Sequence, residues 1–299
     1  MTRRSPIRDW AEYLVARAVL GSLAILPRRQ AEVLARAYTC LLDASVPRLR
    51  RVAMRNLEMA FPGMATGERK RIVDGVFRSI ARMLVSFAHL PRIHRSNAGE
   101  WIRYEGFEHF QEALKRGKGV LFATAHLGNW ELSAFAHGLL TAPMGIVVRP
   151  LDNPKLDQLV ARRRASSGNV VISKKDAARA ILSALKRNEA VGILIDQNAS
   201  PDDGTFVDFF GIPACAGTGF ARLAAHSGAT VLPGFALWSG QEGRYVLRFY
   251  PPVEMRGRVE EGTARIHKAL ESIIRQHPDQ WLWIHRRWKT RPPGDPPLY

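Results

Sequence analysis

The chain has 299 residues, of which 46% are hydrophobic and 24% charged. That is long enough to bury a full core and too apolar for a disordered polymer. Lys and Arg number 44 against 27 Asp and Glu, a formal charge of +17. Such a balance calls for an anionic partner, whether nucleic acid, membrane phosphate or an acidic protein. The two cysteines, Cys40 and Cys215, are too few for a disulfide framework or a multi-cysteine zinc site. They read as reduced thiols in a cytosolic compartment.

At the N-terminus, Arg3, Arg4 and Arg8 precede an apolar run from Trp10 to Pro27. Glu12 and Arg17 interrupt it, so only 18–27 is uncharged. A membrane-spanning helix needs about 20 apolar residues. A signal peptide needs fewer, but no small-residue cleavage site follows Pro27. The segment reads as an interfacial amphipathic helix with basic ends and a belt carrying Trp10 and Tyr13. The alternative is a core helix of a soluble bundle.

Helical spacing predicts helices over 9–25, 30–44, 47–60 and 67–89, broken by Pro27, Pro47, 61–63 and Pro91. In the last of these, Ile72, Val76, Ile80, Met83, Leu84 and Phe87 keep one face apolar. The first hundred residues carry 18 Lys and Arg against 8 acids, +10 of the total. A helical, membrane-associating subdomain over 1–110 is expected, followed by an α/β domain over 111–299.

Past residue 115 the pattern alternates. Strands are predicted at 119–124, 144–148, 170–172, 190–195 and 230–237, with an edge strand at 245–250. Helices are predicted at 130–140, 154–167, 177–187, 217–227 and 259–276. Alternation of this kind implies a mostly parallel sheet flanked by helices. In such sheets the chemistry sits beyond the carboxyl ends of the strands. That directs attention to the residues just past Thr124 and Ile195.

Thr124 is followed by Ala125-His126-Leu127-Gly128-Asn129-Trp130-Glu131. Nine histidines would give about 0.8 such His–acid spacings by composition alone, so the spacing by itself decides nothing. The context is more informative. Gly128 permits a tight turn, Asn129 can cap a helix, and Glu131 falls in the first helical turn, where the dipole favours its charge. An imidazole beside a carboxylate at a sheet mouth suits general-base catalysis. The other reading is a histidine satisfied by a backbone carbonyl and a glutamate that only starts the helix. Zinc helices use paired histidines at i, i+4 or cysteine pairs, and neither is present, so no metal is expected.

The motif resembles the His-x-x-x-x-acid block of the bacterial lipid A biosynthesis late acyltransferases, a branch of the glycerolipid and lysophospholipid acyltransferase superfamily. The resemblance extends in order through Arg55–Pro62 (55–62), Arg149-Pro150-Leu151-Asp152-Asn153-Pro154, Arg164-Ala165-Ser166-Ser167-Gly168, Ile195-Asp196-Gln197, Phe209-Phe210-Gly211, Gly217-Thr218-Gly219, 223–229 and 277–289. It covers roughly 45–292. It implies an enzyme that moves a fatty acyl group from a thioester, usually on acyl carrier protein, to a hydroxyl of a lipid A precursor. The site would lie at the cytoplasmic face of the bacterial inner membrane, with His126 as general base and Glu131 as its carboxylate partner. A thioester is already activated, so no cofactor is expected. Coenzyme A remains an alternative carrier, and a lysophospholipid, another glycolipid or an ornithine-type lipid an alternative acceptor.

Several other residues are candidates for binding. The reaction needs donors for a developing oxyanion, and the amides of 127–129, including Gly128 and Asn129, are available in sequence. Arg149 and Arg164 suit the phosphates of an acceptor, since guanidinium binds oxyanions bidentately; either could equally lie on a solvated face. Asp196 and Gln197 end an apolar strand, at the site or capping a turn. Thr218, between two glycines at a helix start, is either an oxyanion binder or a plain cap. Arg162, Arg163, Lys174 and Lys175 belong to a general basic surface, and Asp202 and Asp203 to a solvated turn. Trp281, Trp283 and Trp288 interleave with His285, Arg286, Arg287 and Lys289. Aromatic and basic residues can stack on bases or sit at lipid headgroups, but the alternation suggests a partly buried strand. A non-catalytic nucleic-acid-binding protein is the competing class. No helix-turn-helix, zinc finger or RNA-binding signature supports it, and no nucleic-acid partner is expected.

Overall fold

The computed structural model describes residues 5–174 and 177–299. Arg3, Arg4 and Lys175 lie outside the described residues. Four helices open the chain: α1 (Pro6–Ile25), α2 (Arg28–Ser45), α3 (Pro47–Ala60) and α4 (Thr66–His89). Proline stands at the first turn of α1 and α3, where its missing N–H is no loss. Among the described residues no helix is long and apolar enough to cross a membrane.

The rest of the chain runs β1 (Ile102–Glu105), α5 (Phe107–Lys115), β2 (Val120–Thr124), α6 (Trp130–Leu140), β3 (Gly145–Val148), α7 (Pro154–Ala165), β4 (Val170–Ser173), α8 (Ala177–Lys186) and β5 (Ala190–Leu194). It continues through β6 (Gly204–Phe209), β7 (Ile212–Gly217), α9 (Gly219–Ser227), β8 (Thr230–Ser239), β9 (Arg244–Phe249) and α10 (Val259–Gln276). Seven strands form one sheet in the order β1-β9-β8-β2-β5-β3-β4. Every neighbouring pair is parallel except β8 and β9. The expected α/β class, with a mostly parallel sheet flanked by helices, is the fold.

Three local expectations need correction. The strand expected at the edge, 245–250, is interior. β1 pairs with it in parallel register, Ile102 opposite Tyr245, and Tyr245 and Val246 are each 2% exposed. A four-residue strand of mixed polarity carries almost no periodic signal, so β1 is silent in sequence. It also means that the sheet begins before residue 111. An antiparallel hairpin, β6–β7, fills a stretch assigned no element, and it turns at Phe210, whose φ is +60°, and Gly211. The 281–285 segment is not a strand. Its only ladder contact among the described residues is an isolated bridge from Trp281 to Leu127.

One face of the sheet takes Val120 and Phe122 of β2 and packs under α4, α5 and α6. The opposite face takes Leu121 and Ala123 and packs on α8 and α9. A third cluster joins α3, α4 and α10 to the C-terminal segment, where Trp281, Trp283 and Trp288 are at most 2% exposed. These tryptophans are core, and they hold the C-terminal segment against the sheet's carboxyl end.

Candidate functional site

The site grows from the register of two neighbouring parallel strands. Thr124 of β2 lies opposite Leu194 of β5, and the Ile195 amide still donates to the Thr124 carbonyl at 3.0 Å. Carried two residues further, that pairing sets His126 beside Asp196. The His126 Nδ1 meets Asp196 Oδ1 at 2.9 Å. The His126 backbone N–H donates to Asp196 Oδ2 at 2.9 Å, and the indole Nε1 of Trp281 donates to the same oxygen at 2.9 Å. Asp196 is 3% exposed. Burial alone would raise its pKa, but the His126 imidazole and these donors hold it down. Burial likewise works to lower His126, and the Asp196 carboxylate outweighs it, so the imidazole is raised above its ordinary 6.5. The Nε2 of His126 carries no hydrogen bond among the described residues, and the side chain keeps 16% exposure. The result is a base with one nitrogen anchored and the other available.

Glu131, the carboxylate expected to partner this imidazole, does not touch it. It accepts from Arg164 Nε at 2.9 Å and Nη2 at 2.5 Å, a bidentate pair of a half-buried guanidinium on α7 and a carboxylate in the first turn of α6. The helix explains the difference. Residue 131 stands in the first turn of α6 and pairs with Arg164 of α7, whereas residue 196 lies just past the end of the neighbouring strand β5. Glu131 reaches His126 only as a more distant charge that favours the protonated ring.

The turn between β2 and α6 is tied down on all sides. The Gly128 amide donates to the Gln280 carbonyl and the Asn129 amide to the Ala236 carbonyl, each at 2.9 Å. Asn129 is fully buried; its Oδ1 caps α6 through the Leu132 amide at 3.0 Å, and its Nδ2 donates to Ser86. Gly128 has φ +65°, and a Cβ there would stand 2.0 Å from the Ala236 carbonyl oxygen. Both amides are thus already engaged by carbonyls of the fold, and the Asn129 side chain is bonded within it. Thr218 stands at the N-cap position of α9, without a side-chain cap bond. Its amide and hydroxyl both go to the Asp203 carbonyl, at 3.0 and 3.2 Å, and it is 5% exposed.

Arg149 sits just past β3 with its side chain 81% exposed and 3.7 Å from Asp152, so it stands on the surface. Gln197 is exposed next to the buried Asp196. Asp202 and Asp203 are exposed in a short 3-10 turn. Among the described residues no three His, Cys, Asp or Glu side chains gather as a metal-ligand set.

Two features were not legible in sequence. Trp130 packs edge-on against His126, ring centres 4.8 Å apart. It also borders a narrow pocket that lies between α6 and the sheet. Thr124, Glu131 and Arg164 line that cavity, as do Phe122, Leu194 and Phe249, so its wall is mostly apolar with a charged pair on one side. Glycines at 192 and 234 leave room on the sheet side. A second, smaller cavity is lined by His126, Gly128, Trp130 and residues of α4. Trp130 thus borders both.

An imidazole–carboxylate pair at the carboxyl end of a parallel sheet, beside a mostly apolar pocket, is an arrangement suited to an α/β enzyme. The chain belongs to the bacterial lipid A biosynthesis acyltransferase family, whose profile matches residues 2–290, and it is an acyltransferase. It is 32% identical over 253 residues to the lipid A biosynthesis lauroyltransferase of Escherichia coli K12, covering 83% of this chain and 82% of the relative. The palmitoleoyltransferase of the same organism is also 32% identical, over 250 residues, covering 83% and 81%. The myristoyltransferase is 24% identical over 292 residues, covering 96% and 90%.

Proposed function

We propose that the enzyme transfers a fatty acyl group from a thioester, carried by acyl carrier protein, to a hydroxyl of a lipid A precursor, with His126 as general base. The observation that carries this reading is the imidazole itself, anchored at Nδ1 by Asp196 and unpartnered at Nε2. Nε2 takes the proton of the acceptor hydroxyl while that oxygen attacks the thioester carbonyl. The tetrahedral intermediate then collapses, the C–S bond breaks, and the imidazolium returns the proton to the leaving thiolate. Asp196 holds the Nδ1–H tautomer and stabilises the imidazolium between these steps. The apolar cavity along α6 takes the acyl chain. Arg164 and Glu131 form a charge-compensated pair on the cavity wall.

Mass spectrometry of cellular lipids tests the acceptor. Deleting the gene should remove one acyl chain from lipid A. A chain missing instead from a phospholipid or another glycolipid would assign the same chemistry to a different acceptor.

The enzyme would reach that acceptor from the surface of the cytoplasmic leaflet. On α1, Ile7, Trp10, Leu14 and Ile25 recur at helical spacing and are 82%, 50%, 57% and 73% exposed. On α2, Val33 and Leu41 are 71% and 65% exposed. Exposed basic residues, among them Arg8, Arg17, Arg29 and Arg36, surround them. An apolar stripe edged with arginine suits an anionic bilayer surface, where each basic residue contributes about 1 kcal/mol. Leu14→Glu combined with Ile25→Glu should reduce co-sedimentation with anionic vesicles at least about tenfold, since it exchanges two apolar contacts for two repelled charges. Unchanged vesicle binding would remove this face from the reading.

A further inference from the structure

The opening helices carry a cation that the fold leaves unpaired. Arg82 of α4 is half-buried, and its guanidinium lies 4.5 Å from the centre of the Trp238 ring. Among the described residues that guanidinium has no ion pair and no hydrogen bond. Arg28 shows the contrast. It stands over the same ring at 5.5 Å, but it donates to Glu32 at 3.2 Å, to the Glu100 carbonyl at 2.9 Å and to the Gly243 carbonyl at 2.6 Å. Arg36 and Arg78, both exposed, lie close enough to Arg82 to repel it. Burial first, then these two charges, hold the Arg82 pKa below the ordinary arginine value, against the pull of Tyr245 and of Glu32, which Arg28 already holds. A cation drawn partly out of water beside two others is destabilising, and an aromatic face offsets only part of that. An anion from outside the chain would complete the arrangement.

The cluster lies beside the catalytic turn. Arg78, Arg82 and Ser86 follow one another at i, i+4 along α4, and the Ser86 hydroxyl accepts from Asn129 Nδ2 at 2.6 Å. Ser79 and Met83, next in sequence to the two arginines, line the small cavity that His126 shares with Trp130. From the other side, Gln280 lines the same cavity and holds the Trp238 backbone, accepting from its amide at 2.8 Å and donating to its carbonyl at 3.2 Å. Arg36 borders the exposed Val33 and Leu41 of α2, so the cluster is continuous with the apolar stripe that faces the bilayer in the reading above.

We propose that Arg82, with Arg78 and Arg36, binds a phosphate of the acceptor lipid and so brings its hydroxyl to His126. This rests on the reading of the acceptor as a lipid A precursor, a phosphorylated glycolipid. The two arginines that the sequence offers for the task are differently placed: Arg164 is held by Glu131, and Arg149 is on the surface beside Asp152. A guanidinium fork takes two phosphate oxygens at once, and the Trp238 ring fixes the plane of the Arg82 fork. Half-burial and continuity with the apolar stripe favour a lipid phosphate over a carboxylate on a protein surface.

The test uses the purified full chain in uncharged detergent micelles and a saturating acyl thioester of acyl carrier protein. Two acceptors are compared, a phosphorylated lipid A precursor and the same lipid after phosphatase treatment. Wild type should prefer the phosphorylated acceptor. In Arg82→Gln that preference, read as the ratio of kcat/KM values, should fall about tenfold or more, through KM rather than kcat, as expected for a lost hydrogen bond to a charged group. Arg82→Lys should recover only part of it, since an ammonium keeps the charge but neither the fork nor the stacking. Arg78→Gln, at an exposed position, should shift the ratio in the same direction, and it carries the test if Arg82→Gln fails to fold.

An unchanged preference in Arg82→Gln and Arg78→Gln overturns the proposal. So does an equal rise in KM for both acceptors, which would make Arg82 a packing residue. Weaker binding to phosphatidylglycerol vesicles with unchanged kinetics in micelles would assign the cluster to bulk bilayer phosphate and overturn the acceptor subsite. Failure of the wild-type enzyme to acylate either form of the precursor refutes the reading of the acceptor, and the subsite with it. The other outcomes leave that reading standing.

Discussion

His126→Ala is expected to lower acyl transfer by about 10²–10⁴-fold, the range for loss of a positioned general base. The acceptor hydroxyl is a poor nucleophile until its proton is taken. Among the described residues, the His126 Nε2 is the basic nitrogen held at the mouth of β2 and β5 without a partner. The loss should fall on kcat, because the substitution leaves the proposed acyl pocket and membrane face intact. Substitution also strips one partner from a buried carboxylate, since Asp196 keeps only the Trp281 indole and one backbone amide. That costs about 1–3 kcal/mol of stability, so the rate must be read on protein that circular dichroism shows to be folded. Near-wild-type turnover in folded His126→Ala would remove the catalytic assignment.

Asp196→Asn carries the second large effect, about 10²–10⁴-fold in kcat, by analogy with loss of the orienting aspartate in a catalytic triad. Asparagine preserves the shape but not the pattern of donors. Three donors converge on the Asp196 carboxylate: the Trp281 indole, the His126 amide and the His126 Nδ1–H. An amide has only one oxygen. If that oxygen stays with the indole and the backbone N–H, its NH2 faces Nδ1. The imidazole must then carry its proton on Nε2, where it can no longer accept one. Replacing Glu131 removes the clamp on Arg164 and leaves the His126 tautomer alone, so a pronounced tautomer effect belongs to Asp196.

The two residues also make a joint prediction in pH. General-base catalysis needs neutral His126, so kcat/KM should rise with pH through the pKa of the ring. The Asp196 carboxylate raises that pKa above 6.5, so the wild-type limb should lie on the alkaline side of an ordinary histidine. In Asp196→Asn the anion is gone while burial remains, so any residual limb should move to lower pH. Stability follows the complementary sign. A raised histidine pKa contributes fully below its unfolded value, and the contribution fades as pH rises through the folded value. The depressed Asp196 contributes above its unfolded pKa and loses that contribution as acid protonates it.

Much of this molecule is legible one segment at a time. The periodicity of α4, the apolar run of β2, the capping asparagine before α6 and the positively charged opening helices all report local burial and local hydrogen bonding. So does the placement of His126 just past a buried strand. Family resemblance adds the acyl-transfer activity, and the family match agrees with it.

What local pattern cannot carry is pairing between distant segments. Asp196 and His126 are 70 residues apart, and Trp281 is 85 residues from Asp196. Only the parallel register of β2 and β5 brings the two strand ends level. The spacing of His126 and Glu131 directs attention within one turn of chain, and there it misleads, because α6 swings Glu131 toward Arg164. The amides of Gly128 and Asn129 look available in sequence because their acceptors, at 280 and 236, belong to other parts of the fold. The sequence by itself determined which residues are buried along each element and which imidazole stands at the sheet's mouth, since both depend on neighbours a few positions away. Tertiary structure decided which carboxylate holds that imidazole, which donors are already engaged, and where the cavity runs, since each depends on contacts that strand order and helix packing create.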